Sequence, residues 1–174
     1  MTGEGCRTIK PYEPLMSVTE EENKTGQATD FSQQETWILG YFYREVLSEH
    51  PHNEWFEKEY HEYFPERDTF DHLKKINING LTVKVVLGSW CPDSRREVPR
   101  FMKILDLWEF PMEKVTFIGV DNVKISPVEE YEALIIERVP TFIFYENNIE
   151  AGRIIENPES SLERDMLEIL TGNE

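Results

Sequence analysis

The chain has 174 residues, 39% of them apolar, and carries 34 acidic against 18 basic side chains for a formal net charge of −16. That content supports one domain with a real core, or one domain plus an extension, and it excludes wholesale disorder. A charge so negative repels phosphate backbones and anionic membrane surfaces, which sets nucleic acid aside as a partner, and no apolar run is long enough to span a membrane. Two cysteines, Cys6 and Cys91, do not make a disulfide framework. His50, His52, His61 and His72 form no ligand pair at a spacing with known mechanics, so no metal and no other cofactor is expected.

Residues 1–30 show no helical or strand period among Ile9, Tyr12, Leu15, Met16 and Val18, and Glu20-Glu21-Glu22 is a solvated charge run. This predicts a flexible N-terminal arm. The arm has no basic start followed by an apolar core, which reads against a signal peptide and for a cytoplasmic protein. Gly5-Cys6 is similar to the cleavage junction of a bacterial lipoprotein, so a processed exported or lipid-anchored form is the other expectation. From Phe31 to Leu47, Ile38, Leu39, Phe42, Val46 and Leu47 fall at three-to-four spacing, and Asp30 or Ser32 with Glu35 offers a capping box; a helix is expected. An aromatic-rich helix over 53–64 should carry Trp55, Phe56, Tyr60, Tyr63 and Phe64 and end at Pro65. A short helix over 68–76 closes a helical extension spanning 31–76, whose aromatics are expected to pack on the core.

Residues 77–174 read as the main domain, in which strand and helix patterns alternate as in an α/β sheet. A buried strand is expected over 81–87, a helix over 92–108 with Pro99 inside it, a strand over 115–120, and a helix over 128–136. A strand over 141–145 follows, then a hairpin turn at Asn147-Asn148, a strand over 150–155 and a last helix with Leu162, Met166, Leu167 and Leu170 inward.

The chemistry concentrates where the first of these strands ends. Val83-Lys84-Val85-Val86-Leu87 runs into Gly88-Ser89, which permit a sharp exit, and then into Trp90-Cys91-Pro92-Asp93-Ser94. Pro92 suits the first turn of a helix, which sets the Cys91 sulfur at the positive end of that helix, where a thiolate is favoured. A thiolate is the nucleophile of disulfide exchange. Arg95 and Arg96 lie one turn along and add positive potential, while the Asp93 carboxylate works against the thiolate.

This stretch resembles the active-site strand, turn and helix of the thioredoxin superfamily, whose usual motif is Trp-Cys-x-x-Cys. Pro99 stands where those proteins carry a kinking proline, Val139-Pro140-Thr141-Phe142 resembles the loop and strand of their cis-proline, and Asn147-Asn148 resembles the hairpin joining their last two strands. The resemblance covers 81–170, about half the chain. It implies a thioredoxin fold, a mixed sheet flanked by helices, with Cys91, Ser94 and Pro140 as the reacting group and its companions. It also implies a substrate-binding surface formed by Trp90, Pro92, Asp93, Val139 and Thr141. An edge of backbone beside a cis Pro140 would let a partner chain pair as an added strand. Two departures matter. The second cysteine of the family motif is Ser94, and the family's buried acid in the central strand is Val85.

Serine cannot resolve a mixed disulfide, although it can donate a hydrogen bond to a thiolate. The expected activity is therefore monothiol exchange with protein thiols or disulfides, with a glutathione-like small thiol, or Cys6 on the arm, as resolver. The competing expectation is a redox-silent binding module that holds a protein partner on the Pro140 edge and the aromatic helices. A thiol peroxidase is weaker, because no threonine precedes Cys91 at the spacing those enzymes use.

Overall fold

The computed structural model describes residues 28–172. Five strands form one mixed sheet: β1 (Gly40–Phe42), β2 (Leu81–Leu87), β3 (Val115–Gly119), β4 (Thr141–Glu146) and β5 (Ile149–Ile155), in the spatial order β1-β3-β2-β4-β5. Only β2 and β3 are parallel, joined across α3 (Pro92–Leu107); the other pairs are antiparallel. Three further helices complete the α/β architecture: α1 (Asn53–Glu62), α2 (Arg67–Leu73) and α4 (Leu162–Thr171). None of the helices described is long and apolar enough to cross a membrane.

The two faces of the sheet are covered unequally. Val83, Val85, Leu87, Phe117, Phe142 and Phe144 point to the side that α1, α3 and α4 cover, and they form the larger core with Phe101, Met102 and Leu105. Phe101 packs against Phe142 with ring centroids 4.4 Å apart; each such ring, fully buried, contributes roughly 2–3 kcal/mol. On the opposite face Val86, Ile118 and Ile143 meet Val120, Tyr131, Leu134, Val139 and Cys91. The lone Pro inside α3, Pro99, is buried within that helix.

Two expected helices are absent. The segment 31–47 folds instead as a 3-10 turn at Gln34–Thr36, strand β1, and a second 3-10 turn at Arg44–Ser48. The capping residues act locally: the Asp30 carboxylate accepts from the Ser32 amide and hydroxyl and from Gln33, which closes a turn. Gly40 sits at φ +79°, where a helix cannot continue. On either side of it burial alternates, with Ile38 and Phe42 inside and Leu39, Tyr41 and Tyr43 outside, so the period is that of a strand. The helix expected over 128–136 reduces to the 3-10 turn Tyr131–Leu134, flanked by positive φ at Glu130 and Ile135. Tyr131 and Leu134, three apart, both reach the core in that single turn, and Arg153 donates to the Leu134 carbonyl at 2.9 Å. The remaining elements lie within a few residues of their expected bounds. Asn147 and Asn148 both take positive φ in the β4–β5 turn.

Helix α1 is bolted to α3 by charge as well as by aromatics. Arg44 grips Asp106 with two hydrogen bonds of 2.6 and 2.8 Å, Tyr60 donates to the same carboxylate at 2.6 Å, and Arg100 holds Glu59. Burial works against the charge on Asp106, but the bonds from Arg44 and Tyr60 outweigh it and keep the carboxyl below its ordinary range. The arm expected over 1–30 lies almost wholly outside the described residues.

Strand β1 docks tightly on β3 because Gly119 has no side chain: a Cβ there would stand 2.1 Å from the Ile38 carbonyl oxygen. Gly119→Ala must push two backbones apart. We expect it to lower the unfolding free energy by about 2–3 kcal/mol, in the range of overpacked sites. Urea denaturation checks this through a lower midpoint at unchanged slope, and an unshifted midpoint would refute the tight docking.

Candidate functional site

Strand β2 ends at Leu87, and the chain turns through Gly88, Ser89 and Trp90 before Pro92 opens α3. Cys91 is the N-cap residue of that helix, in extended conformation, with its carbonyl accepting from the Arg95 amide at 3.1 Å. The residue is 7% exposed. The Val139–Pro140 peptide bond is cis, and the Cys91 thiol donates to the Val139 carbonyl at 3.3 Å. Two segments far apart in sequence, which the thioredoxin resemblance alone put beside each other, thus meet at the sulfur.

Ser94 is fully buried, and its hydroxyl oxygen accepts from the Gly88 amide at 3.2 Å. Its visible role is to hold the turn that carries Cys91. Trp90 lies across Gly88, where a Cβ would come within 2.5 Å of the ring, and its indole N–H donates to the Val120 carbonyl at 3.0 Å. The ring therefore walls one side of the site. Pro92 is exposed at the first position of α3. Asp93 is half-buried and paired with Arg96 at 2.7 Å, so its charge is compensated locally rather than aimed at the sulfur.

The proline loop is held from within. The Thr141 hydroxyl donates to the Arg138 carbonyl at 2.6 Å, and the Glu156 amide donates to the Pro140 carbonyl at 2.7 Å. With the Cys91 thiol on Val139, the carbonyls of Arg138, Val139 and Pro140 all have partners inside the chain. Thr141 is 1% exposed and its backbone lies in β4 between β2 and β5, so in this arrangement it braces the loop and offers no surface to a substrate.

The two arginines after Ser94 do different things. Arg96 bonds Asp93 and Glu97 and also Asn157. Arg95 turns the other way and lays its guanidinium over the Phe31 ring, 4.6 Å from the centroid. Burial lowers the Arg95 pKa from its ordinary value, and the Cys91 sulfur acts in the opposite sense. Val85 is fully buried in the larger core. A buried carboxylate does occur nearby at Glu97, 4% exposed and held by Arg96 at 2.6 Å.

Sequence reasoning missed Phe31, Ser89 and His52. Ser89 is fully buried; it accepts from the Ile38 amide at 3.0 Å and donates to the Thr36 carbonyl at 3.1 Å. No sequence signal announces such a bond, because a serine in a turn reads as a flexible residue. Phe31 carried a helix expectation that hid its place beside the site. His52 lies behind Phe31, with ring centroids 6.0 Å apart, and its Nδ1 has no hydrogen-bond partner among the described residues. Those residues include no group of His, Cys, Asp and Glu placed to hold a metal ion.

Burial, followed by the charge of His50, lowers the pKa of His52 to about 4. The imidazole is thus neutral in the fold and readily protonated when unfolded, near pH 6.5. Its contribution to stability is full above pH 6.5 and is lost as pH falls toward 4. We expect wild type to lose about 2 kcal/mol more unfolding free energy than His52→Phe between pH 7 and pH 4.5. Parallel pH profiles from urea melts would contradict a neutral, buried His52.

No protein-family model matches the chain, and no curated protein matches it. Among solved structures, a Pseudomonas aeruginosa protein of unknown function is similar at 14% identity and a TM-score of 0.46, over 68% of this chain and 79% of that one. That likeness is too distant to assign a fold family or a chemistry, so the reading of this site rests on its own residues.

Proposed function

We propose that the chain is a thioredoxin-fold protein that exchanges thiols and disulfides through the single sulfur of Cys91. The observation that carries the reading is the meeting of a helix N-cap cysteine with the carbonyl before a cis-proline. The β2–turn–α3 unit, the proline loop ahead of β4, the β4–β5 hairpin and α4 follow one another in the order that the thioredoxin resemblance implies, which supports that fold family.

Exchange begins when the Cys91 thiol gives up its proton and its bond to Val139. The thiolate attacks one sulfur of a partner disulfide; that S–S bond breaks, and the other sulfur leaves with the electron pair. A mixed disulfide on Cys91 remains. Ser94 has no sulfur with which to attack it, so a second thiol must do so, and a glutathione-like small thiol is our choice. Such thiols are abundant in the cytoplasm, which is where we place the activity. Opening the Cys91–Val139 contact also frees the Val139 carbonyl for a partner strand.

One observation favours a second reading. Cys91 is a buried residue and its thiol proton already has an acceptor, as a silent thiol in a binding module would. The replacement Ser94→Cys separates the two. It leaves the Gly88 amide with a poorer acceptor, at a cost of about 1 kcal/mol, which a domain of this size tolerates. If Cys91 is an exchange nucleophile, mild oxidation closes a disulfide between positions 91 and 94. Reduction of insulin by dithiothreitol then runs about tenfold or more above wild type. Wild type instead accumulates a one-to-one mixed disulfide that Cys91→Ser abolishes. Absence of both the internal disulfide and the wild-type adduct, seen by mass spectrometry, would turn the assignment to the binding module.

A further inference from the structure

Acidic side chains outnumber basic ones 34 to 18, so an arginine without a carboxylate is unusual here. Arg44, Arg96, Arg100, Arg138, Arg153 and Arg164 each lie within ion-pair distance of one. Among the described residues Arg95 has none, although it is half-buried and a partly desolvated cation gains most from a counter-charge. Arg67, the other described arginine without one, is exposed.

The place of Arg95 gives this meaning. It is four residues beyond Cys91, its amide bonds the Cys91 carbonyl, and helical side chains lean toward the helix N-terminus. The guanidinium therefore stands on the Cys91 side of α3. Phe31 fixes its height, and behind Phe31 the rings of His52 and Trp55 follow in contact, at 6.0 and 5.9 Å. No acceptor among the described residues takes the guanidinium's N–H donors, and stacking leaves that edge open to an anion. The neighbouring carboxylate that could have neutralised it, Asp93, is taken by Arg96.

We propose that Arg95 is the specificity residue of the site and selects small disulfides that carry a carboxylate close to sulfur. The inference rests on the exchange reading above and names the class of its resolving thiol: a low-molecular-weight thiol with a carboxylate. A small partner fits a cysteine that is only 7% exposed. In the exchange, Cys91 thiolate attacks the near sulfur, the S–S bond breaks, and the departing carboxyalkyl thiolate takes a proton from water. The guanidinium holds the carboxylate of the half that stays. Phe31 is a positioning residue for Arg95.

The test uses three disulfides of similar size: dithiodipropionate (anionic), bis(2-hydroxyethyl) disulfide (neutral) and cystamine (cationic). Rates of adduct formation at Cys91 are followed by mass spectrometry in the full-length chain carrying Cys6→Ser, so that one thiol reports. The rate ratio of anionic to neutral reagent cancels any general change in sulfur reactivity. The net charge of −16 biases the background toward the cation, so a preference for the anion must arise locally. We expect the anionic reagent to react faster than the neutral one, and Arg95→Gln to lower that ratio about tenfold, the worth of one charge-assisted bond. Arg95→Lys and Phe31→Tyr should keep part of the preference, Phe31→Ala should reduce it, and Arg96→Gln should leave it unchanged. A ratio that stays within about twofold in Arg95→Gln, while all three reagents still react, overturns the inference and leaves the exchange reading intact. Failure of every reagent to modify Cys91 overturns the exchange reading itself, and the inference with it.

Discussion

A buried hydroxyl ties this structure together. Ser89 accepts a hydrogen bond from the Ile38 amide and donates one to the Thr36 carbonyl, joining the turn before Cys91 to a segment about fifty residues earlier. The bond from Ile38 is buried and the one to Thr36 partly so, and removing the hydroxyl would leave the Ile38 amide unpaired at a cost of roughly 1–3 kcal/mol. Two arrangements hang on them. Downstream, Ile38 enters the register that brings Gly40 opposite Gly119 and makes β1. Upstream, the chain turns back at Asp30 and sets Phe31 beneath Arg95. The same side chain that shapes the exit from β2 therefore also furnishes the wall of the site.

Charge is allocated around α3 with little redundancy. On one side Arg96 and Arg100 converge on Glu97, Asp93 and Glu59, and Tyr63 donates to Glu163, so burial and that acceptor both hold the phenol in its neutral form. The Arg100–Glu59 pair fastens α1 to the central helix, and the Tyr63–Glu163 bond ties the end of α1 to α4. On the other side Arg95 faces an aromatic ring and a thiol. A helix with three arginines in six positions has thus committed two to architecture and one to the site.

How much of this could be read from residues depends on the range over which each is determined. Strand β2, helix α3, the Asn147-Asn148 turn and the proline loop have local signals strong enough to survive any context: a β-branched run, a proline at the first helical position, residues that tolerate positive φ. They carry the α/β class and bring Cys91 and Val139 into view. The segment 31–47 was misread because Ile38, Phe42 and Leu47 satisfy a helical period and a strand-plus-turn equally well, and the choice was made by Gly40 and by a sheet edge that only the folded chain provides. The expected helix over 128–136 failed for a related reason. One 3-10 turn already buries Tyr131 and Leu134, and Arg153, from a strand later in the chain, supplies the bond that further helix would have made. Within the site the cysteine was legible, but its partners were not. Which arginine of an adjacent pair faces the sulfur depends on Asp93, Glu97 and Phe31 together, and a motif does not encode that.

The edge strand has a consequence for how the chain can be divided. Residues 31–76 look detachable in sequence, a helical preface to a self-sufficient α/β unit. Yet Gly40–Phe42 supply the outer rung of the sheet, and Phe42 closes the core over Phe117 with ring centroids 5.4 Å apart. A chain begun at Asn77 would present β3 as a raw border, with unpaired amides beside Phe117 and Ile118, a surface that invites pairing with another copy. The preface and the unit it precedes share one sheet and one core, so recombination, trimming or fusion can spare the Trp90–Ser94 stretch and still lose the protein.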